Sequence, residues 1–439
     1  MAVKSFFIIL YILYPALMIA ALLLDPSTAG LSARRLGGLA VGTAAYTMLC
    51  AQLILTARLP AVERVFGQDR LLRWHGIAAL AAVALSFVHA FYIHGGLFTP
   101  RLRWGEASLA LFTVLTVLAV FFLSEAVTGR WARAARFRKA MQSCTLSRYH
   151  AQLLLHNLTA LAVVLLYLHA AYRMRQFWTN VPFAVLATVC FLASMGCWVW
   201  HLWLRKKYVY RVAEVVRENG AMTTIRLEPE GEPMPYLAGQ FAYFRFEDPA
   251  VSEEYHPFTM SSSPRETLSI TVKALGDWTD HVHEIRPGSR VLVDGPYGRF
   301  SPALHQEGPA VLIAGGVGVT PMMGIIHDAY FRGDSGKLLL LWCARDRSEL
   351  IRGDEWTRLE KEMPGLTICP VLSREKAEGC AHGHLSEAIV EACLARCGIA
   401  PGEASFYYCG PEPLRRTVRR ILRALRVPDG RYHEERFSL

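Results

Sequence analysis

The chain has 439 residues, of which 53% are hydrophobic and only 19% charged, and its net charge is +10. Such a composition is too apolar for a wholly soluble protein and implies a membrane part joined to one or two soluble domains. The positive charge does not read as a nucleic-acid footprint, because no basic stripe interleaved with aromatics occurs in the second half. The ten cysteines include no CxxC pair, and those between residues 343 and 409 are expected to be reduced cytosolic thiols.

Six apolar runs come first, at roughly 5–24, 37–57, 71–93, 106–128, 150–172 and 180–204. Each has about the 20 residues needed to cross hydrocarbon. The first, after Lys4, reads as a signal peptide or as a retained helix; no clear small-residue cleavage site follows it, which favours the helix. Basic residues divide unevenly between the two sets of loop ends. One set holds 14, from Lys4 through Arg58, Arg73, the loop at 129–148 and Arg205 to Lys207; the other holds six, namely Arg34, Arg35, Arg101, Arg103, Arg173 and Arg175. The positive-inside rule then puts both termini and the soluble half in the cytoplasm.

Histidines inside the runs are the anomaly, since a polar group in hydrocarbon is costly and is usually there for function. The third run holds His75 and His89, and the fifth holds His156 and His169 at matching depths. Spacings of 14 and 13 residues separate the members of each helix by about 20 Å. Two helices therefore offer two histidine pairs at two levels, each suited to clamp a haem iron through imidazole nitrogens. At 100° per residue a spacing of 14 returns to within about 40° of the same face, whereas 13 misses by about 140°. The fifth run is therefore expected to bend, or the haems to sit off the midline of the helix pair. His94 and His150 lie at run ends and read as interfacial.

After Lys207 the pattern changes to short alternating segments at 208–216, 222–227, 240–246, 256–264, 268–273 and 290–293, with glycine turns between them. This spacing predicts a small antiparallel barrel. Its central stretch is His256-Pro257-Phe258-Thr259-Met260-Ser261-Ser262. Thr259, Ser261 and Ser262 are expected to aim hydroxyls at the polar edge of a flavin while Phe258 and Met260 face the other way. Lys273 and the turn Gly276-Asp277-Trp278-Thr279 read as a cradle for the flavin's diphosphate.

The apolar strand 309–314 runs into Gly315-Gly316-Val317-Gly318-Val319-Thr320-Pro321 and then a helix. Strand, glycine loop and proline at a helix start form an anion-binding arrangement, although the GxGxxG spacing is absent. Strands at 337–343, 366–372 and 405–409 alternate with helices, which predicts a doubly wound parallel sheet. Ser373-Arg374, just past a strand, reads as a ribose 2′-phosphate site or as surface. Cys409-Gly410-Pro411 stands at a strand's carboxyl end, where ligands bind in such sheets. Phe437, in the tail, stacks on a flat ring or packs the last strand.

Taken together, HPFTMSS, KALGDWT, AGGVGVTPMM and YYCGPEPL, with the histidine spacings, resemble the NADPH oxidase and ferric reductase superfamily. The resemblance covers nearly the whole chain. It implies a multidomain architecture: a six-helix α transmembrane bundle (1–205), an antiparallel β-barrel FAD domain (206–304) and an α/β doubly wound NAD(P)-binding domain (305–439). It further implies that His75 and His156 hold an inner haem b and His89 and His169 an outer one. His256, Pro257, Phe258, Thr259 and Ser262 would line FAD. Gly315, Gly316, Gly318, Thr320 and Pro321 would meet the phosphates of NAD(P)H, with Cys409, Gly410 and Pro411 near the nicotinamide. Ser373 and Arg374 point to NADPH over NADH, and Thr259, Cys409 and Phe437 are the candidate catalytic residues. No EF-hand loop precedes the first helix, so neither calcium nor a regulatory subunit is expected.

The expected activity is transmembrane electron transfer from NAD(P)H through FAD and two haems to an outer acceptor, oxygen before a ferric or cupric chelate. His94, Arg34 and Arg35 are candidates for a polar outer vestibule. Two other readings stand beside it: a membrane subunit that passes electrons to a periplasmic partner, and a haem-free flavin reductase on a structural anchor.

Overall fold

The computed structural model describes residue 5 and residues 9–94, 104–123, 149–305 and 308–435. Phe437, Arg101, Arg103 and the basic loop at 129–148 lie outside the described residues, as do the side chains of His94 and His150. The chain divides into two compact units, Met1–Arg205 and Lys206–Leu439.

Among the described residues of the first unit five helices are long and apolar enough to cross a membrane: Ala33–Thr56, Arg70–Ile93, Trp104–Phe122, Leu154–Arg173 and Val181–Leu204. The first of the six expected runs forms a shorter apolar helix among the described residues, Ile9–Leu23. We label α1 Tyr14–Leu23, α2 Ala33–Thr56, α3 Gln68–His94, α4 Trp104–Leu118, α5 Tyr149–His156, α6 Thr159–Arg173 and α7 Val181–Val199. Asn180 caps α7 by accepting from the Phe183 amide at 2.9 Å, and its side-chain amide donates to the Ala21 carbonyl at 2.7 Å. The Tyr46 hydroxyl donates to the Ala187 carbonyl at 2.7 Å and the Ser108 hydroxyl to that of Ala162 at 2.9 Å. Polar side chains thus join helices whose apolar surfaces lipid would otherwise match equally well. Large apolar residues such as Ile77, Val117 and Leu192 point outward instead.

The fifth run is broken, which is one of the two outcomes that the histidine arithmetic allows. α5 ends on His156, and Asn157 and Leu158 form a turn before α6 begins. Tighter i to i−3 bonds carry the break, from Asn157 to Leu154 and from Leu158 to Leu155.

The second unit begins with β1 Tyr208–Arg217, β2 Met222–Pro229, β3 Phe241–Glu247, β4 His256–Thr259, β5 Leu268–Lys273 and β6 Arg290–Tyr297. They form an antiparallel sheet in the order β4-β3-β6-β1-β2-β5. A bridge from Met260 to Ile270 brings its two edges together, so the barrel is nearly closed. Phe244, Phe246, Ile225, Val293 and Met260 fill its interior.

There follow β7 Ala310–Gly315, α8 Thr320–Phe331, β8 Leu338–Ala344, α9 Gly353–Glu362, β9 Leu366–Leu372, β10 Ala381–His382, α10 Glu387–Cys397, β11 Ser405–Cys409, α11 Glu412–Ala424 and β12 Tyr432–Glu435. The strands are parallel, in the order β10-β9-β8-β7-β11-β12. Leu312 and Leu340 enter the core on one face, Val311, Ile313, Leu339 and Leu341 the core on the other. This period of two, apolar on both faces, is why β7 and β8 read as unbroken apolar runs. The chain reverses its strand order between β8 and β11, beside β7, which places the ligand crevice at the carboxyl ends of β7 and β11.

Candidate cofactor-binding sites

The barrel's candidate strand is β4. Its residues pair with β3, Thr259 opposite Phe241 and His256 opposite Phe244. His256 and Phe258 share a face with Trp278, whose ring lies 4.3 Å from that of His256 and 5.6 Å from that of Phe258, centroid to centroid. Burial lowers the pKa of His256 to about 4, so its imidazole is neutral at physiological pH. Met260 turns into the barrel core, as its alternation with Thr259 predicts. Thr259 is buried on the opposite face; Pro257 is exposed.

Other hydroxyls in this stretch are committed elsewhere. The Ser261 hydroxyl sits 3.2 Å from that of Ser269 and accepts from Thr271 at 3.1 Å. The Ser262 hydroxyl accepts from the Ser269 amide at 2.8 Å and lies 2.9 Å from the Tyr236 hydroxyl. Both side chains therefore brace the barrel. A pairing with β5, invisible in the local pattern, takes them inward. Lys273 is likewise engaged, 3.7 Å from a Glu349 carboxylate oxygen. The Thr279 hydroxyl accepts from the amides of Leu275 and Gly276 at 2.9 and 3.0 Å, so it closes the turn that was expected to cradle a diphosphate.

The parallel sheet gathers its expected residues on one edge. In register, Ala314 lies beside Cys409, Gly315 beside Cys343 and Ala344 beside Leu372. The glycine loop, Ser373-Arg374 and Cys409-Gly410-Pro411 therefore all leave the carboxyl ends of adjacent strands. The glycines have distinct jobs. A Cβ on Gly318 would lie 2.1 Å from the Cys409 carbonyl oxygen, and one on Gly315 2.7 Å from the Pro411 ring. These two let the loops after β7 and β11 interlock. Gly316, at φ +55°, faces open space and leaves its backbone approachable. Thr320 and Pro321 open α8, with Pro321 in its first turn. The Cys409 side chain is buried in the sheet's core. Arg374 is exposed, and among the described residues its guanidinium makes no ion pair.

In the helical unit the four histidines do form pairs. The rings of His75 and His156 are 6.0 Å apart and those of His89 and His169 6.3 Å, with near-perpendicular planes. Ring centres about 6 Å apart leave room for one metal atom bonded to both rings at ~2 Å. The Nδ1 atoms of His75 and His156 are buried without a hydrogen-bond partner. His89 Nδ1 is 2.7 Å from the Gly38 carbonyl oxygen, a contact that fixes the tautomer and leaves Nε2 for a ligand bond. Gly42 and Gly105 make space for the His89–His169 pair: a Cβ would lie 2.4 Å from His89 Nδ1 and 2.6 Å from His169 Nδ1 respectively. An apolar cavity beside this pair is lined by Met18, Leu39, Tyr46, Phe87 and Leu166. Among the described residues no three His, Cys, Asp or Glu side chains converge on a bare metal ion. Two imidazoles per level suit a metal whose other ligands come from its own macrocycle, so the residues fit haem. Arg34, a candidate for an outer vestibule, is exposed. Its guanidinium donates to the Phe91 and Tyr92 carbonyls at 3.1 Å each and so caps α3.

Sequence reasoning missed the packing of the Trp278 ring on His256 and Phe258 and the contacts between barrel and sheet, chiefly Gly324, His327 and Arg352. Only Gly324 carried a local signal, as an isolated glycine inside a helical pattern.

Comparison with known proteins agrees with this geometry. Residues 208–301 match the FAD-binding domain family and residues 312–420 the oxidoreductase NAD-binding domain family. Dual oxidase 2 of Rattus norvegicus is 25% identical over 364 residues, covering 70% of this chain and 22% of its own length. The flavohemoprotein of Deinococcus radiodurans is 30% identical over 240 residues, covering 52% of this chain and 59% of that protein. The crystal structure of Amycolatopsis cytochrome P450 reductase GcoB aligns with a TM-score of 0.47 and 26% identity, over 53% of this chain and 70% of that one. The chain thus spans about a fifth of the dual oxidases. Residues 206–439 make up only about half of this chain, so a match to 70% of it must run into the helices. A flavin barrel followed by a nicotinamide-nucleotide sheet defines an NAD(P)H-dependent oxidoreductase that transfers electrons through FAD. Joined to a set of membrane-length helices, it is a fusion of the NADPH oxidase and ferric reductase type.

Proposed function

We propose that this chain carries electrons from cytosolic NAD(P)H, by way of FAD and two b-type haems, to molecular oxygen on the far side of a membrane, yielding superoxide. The observation that carries this reading is the pairing of His75 with His156 and of His89 with His169. When bound, the flavin turns a two-electron donation into single-electron steps and the haems relay those electrons. Levels 14 residues apart on α3 lie about 21 Å apart, a spacing that lets two relays serve a core of about 30 Å.

The chain's own residues place and isolate these groups. Thr259 on one face of β4 and the His256, Phe258 and Trp278 cluster on the other are the barrel groups proposed to place the flavin, and Phe437 is the aromatic proposed to cover its ring. The Gly316 backbone and the start of α8 at Thr320 and Pro321 receive the dinucleotide's phosphates. Ser373 and the unpaired guanidinium of Arg374 favour the 2′-phosphate of NADPH. The backbone at Cys409, Gly410 and Pro411 borders the nicotinamide end. Oxygen is favoured as the acceptor because the relatives whose likeness reaches into the helices are oxidases by name.

The test is the visible spectrum of the purified full chain. Dithionite should develop a b-type haem spectrum with two haems per flavin, and NADPH in air should reduce cytochrome c in a manner blocked by superoxide dismutase. No haem spectrum would overturn the relay. Reduction that superoxide dismutase leaves untouched would replace oxygen with a chelate or protein acceptor.

A further inference from the structure

Helix α8 begins at the glycine loop and ends far from it, and one face of it grips the segment that follows the flavin strand. Gly324, His327 and Asp328 are three and four residues apart and so share that face. At Gly324 the helix backbone comes so close that a Cβ would lie 3.0 Å from the carbonyl oxygens of both Met260 and Ser262. Asp328 accepts from the Ser263 hydroxyl at 3.2 Å. Between them His327, only 7% exposed, places Nδ1 2.9 Å from Glu266 Oε1 and Nε2 3.2 Å from Glu355 Oε1, the second contact lying off the straight hydrogen-bond line. Glu266 Oε1 also accepts from the Ser263 amide at 2.7 Å, so one carboxylate oxygen ties His327 to the stretch beside the flavin strand.

The contact continues beyond the helix. Arg352 lies 3.3 Å from Glu355 and donates to Glu218 at 2.8 Å and to the Thr224 hydroxyl at 3.2 Å, both in the barrel. It does so from a left-handed backbone conformation, φ +58°, that non-glycine residues rarely adopt. The charged groups around His327 are thus Glu266 and Arg265 from the turn after β4, Asp328 on its own helix, and Glu355 and Arg352 at the start of α9. Glu218 joins through Arg352.

We infer that His327 is a positioning residue for hydride transfer: clamped between Glu266 and Glu355, it fixes the helix behind the nucleotide loop against the segment behind the flavin strand. The inference rests on the FAD and NAD(P)H reading of this unit. The step it serves moves one hydride, a proton with two electrons, from reduced nicotinamide to flavin, leaving the oxidised nicotinamide and a flavin reduced by two electrons. That step is steeply sensitive to the distance between the two rings, so a fixed frame behind both of them matters. Burial alone would lower the pKa of His327, but the carboxylates of Glu266 and Glu355 together outweigh it and push it up to about 9. A free imidazole titrates near 6.5. The clamp's contribution is therefore complete below about pH 6.5 and is lost as pH rises through about 9.

The experiment compares the full chain with H327Q and E266Q. Stopped-flow reduction of the flavin by NADPH should slow about tenfold or more in H327Q, with the apparent NADPH dissociation constant nearly unchanged and flavin content retained. The wild-type rate should fall as pH rises through about 9, and the H327Q rate should be flat there. Amide hydrogen exchange, which needs no turnover, should speed up in H327Q at residues 260–266 and along α8. If H327Q does not fold, E266Q must show the same loss of rate and protection from the other side of the contact. Wild-type rate, pH profile and exchange in the variants would overturn the inference, as would a change confined to NADPH affinity. A wild-type flavin that NADPH cannot reduce would instead sink the electron-transfer reading, and the exchange comparison would still decide whether the clamp exists.

Discussion

Glycine 42 shows how much of the helical site depends on what is missing. A single methyl there would lie 2.4 Å from His89 Nδ1, and one at Gly105 2.6 Å from His169 Nδ1. Neither distance is tolerable between non-bonded atoms, so the imidazole would have to turn, and for His89 the bond to Gly38 would go with it. Gly42→Ala should therefore lower the haem-to-flavin ratio from two toward one, measured by pyridine haemochrome against flavin absorbance, with the dithionite-treated flavin signal unchanged. An unaltered ratio would mean that the outer pair does not hold a haem. The four histidines were legible from the sequence because ionisable groups in apolar runs stand out, and a break such as the one after His156 was one of two outcomes the 13-residue spacing allowed. The glycines were not legible: a helical glycine has no meaning until its neighbour is known. The protein partners of the Ser261, Ser262 and Thr279 hydroxyls were hidden for a related reason. Alternation says which way a side chain leaves its strand, but not whether a partner already holds it.

Elements show the same division. Strands β7 and β8 announced themselves as apolar runs because both their faces are buried, whereas the two-residue β10 carries no pattern at all. The barrel's strands were readable one by one, yet β6 lies between β3 and β1, a placement set by packing around Phe244 and Val293. The glycine loop was read as a phosphate cradle, and the structure divides that role. Gly316 alone faces open space, while Gly318 seats the loop on the end of β11. Gly318→Ala should cost on the order of 1–3 kcal/mol through overpacking against backbone that has no rotamer to yield. It should raise the KM for NADPH and lower the unfolding temperature of the flavin-loaded protein by several degrees. The haem spectrum with dithionite should not change. Normal NADPH affinity in a folded G318A protein would show that the loop is not where the dinucleotide binds.

For the whole molecule the open question is which way the helices run. No atom in the fold distinguishes the two sides of a membrane, but the basic residues do, 14 against six at the two sets of ends. Lysine and arginine are retained on the cytoplasmic side during insertion, and their bias over short loops sets the orientation. The set that includes Arg205, Lys206 and Lys207 adjoins the dehydrogenase, so we propose that it faces the cytoplasm. NADPH is a polyanion and does not cross a sealed bilayer. It should reach the enzyme freely in inside-out vesicles, and in right-side-out vesicles only after detergent opens them. In sealed inside-out vesicles superoxide should appear in the lumen, where superoxide dismutase trapped during vesicle formation, but not enzyme added outside, intercepts it. Oxidation of external NADPH by sealed right-side-out vesicles would reverse the orientation while leaving the histidine pairs and the dehydrogenase untouched, because those rest on packing and not on loop charge.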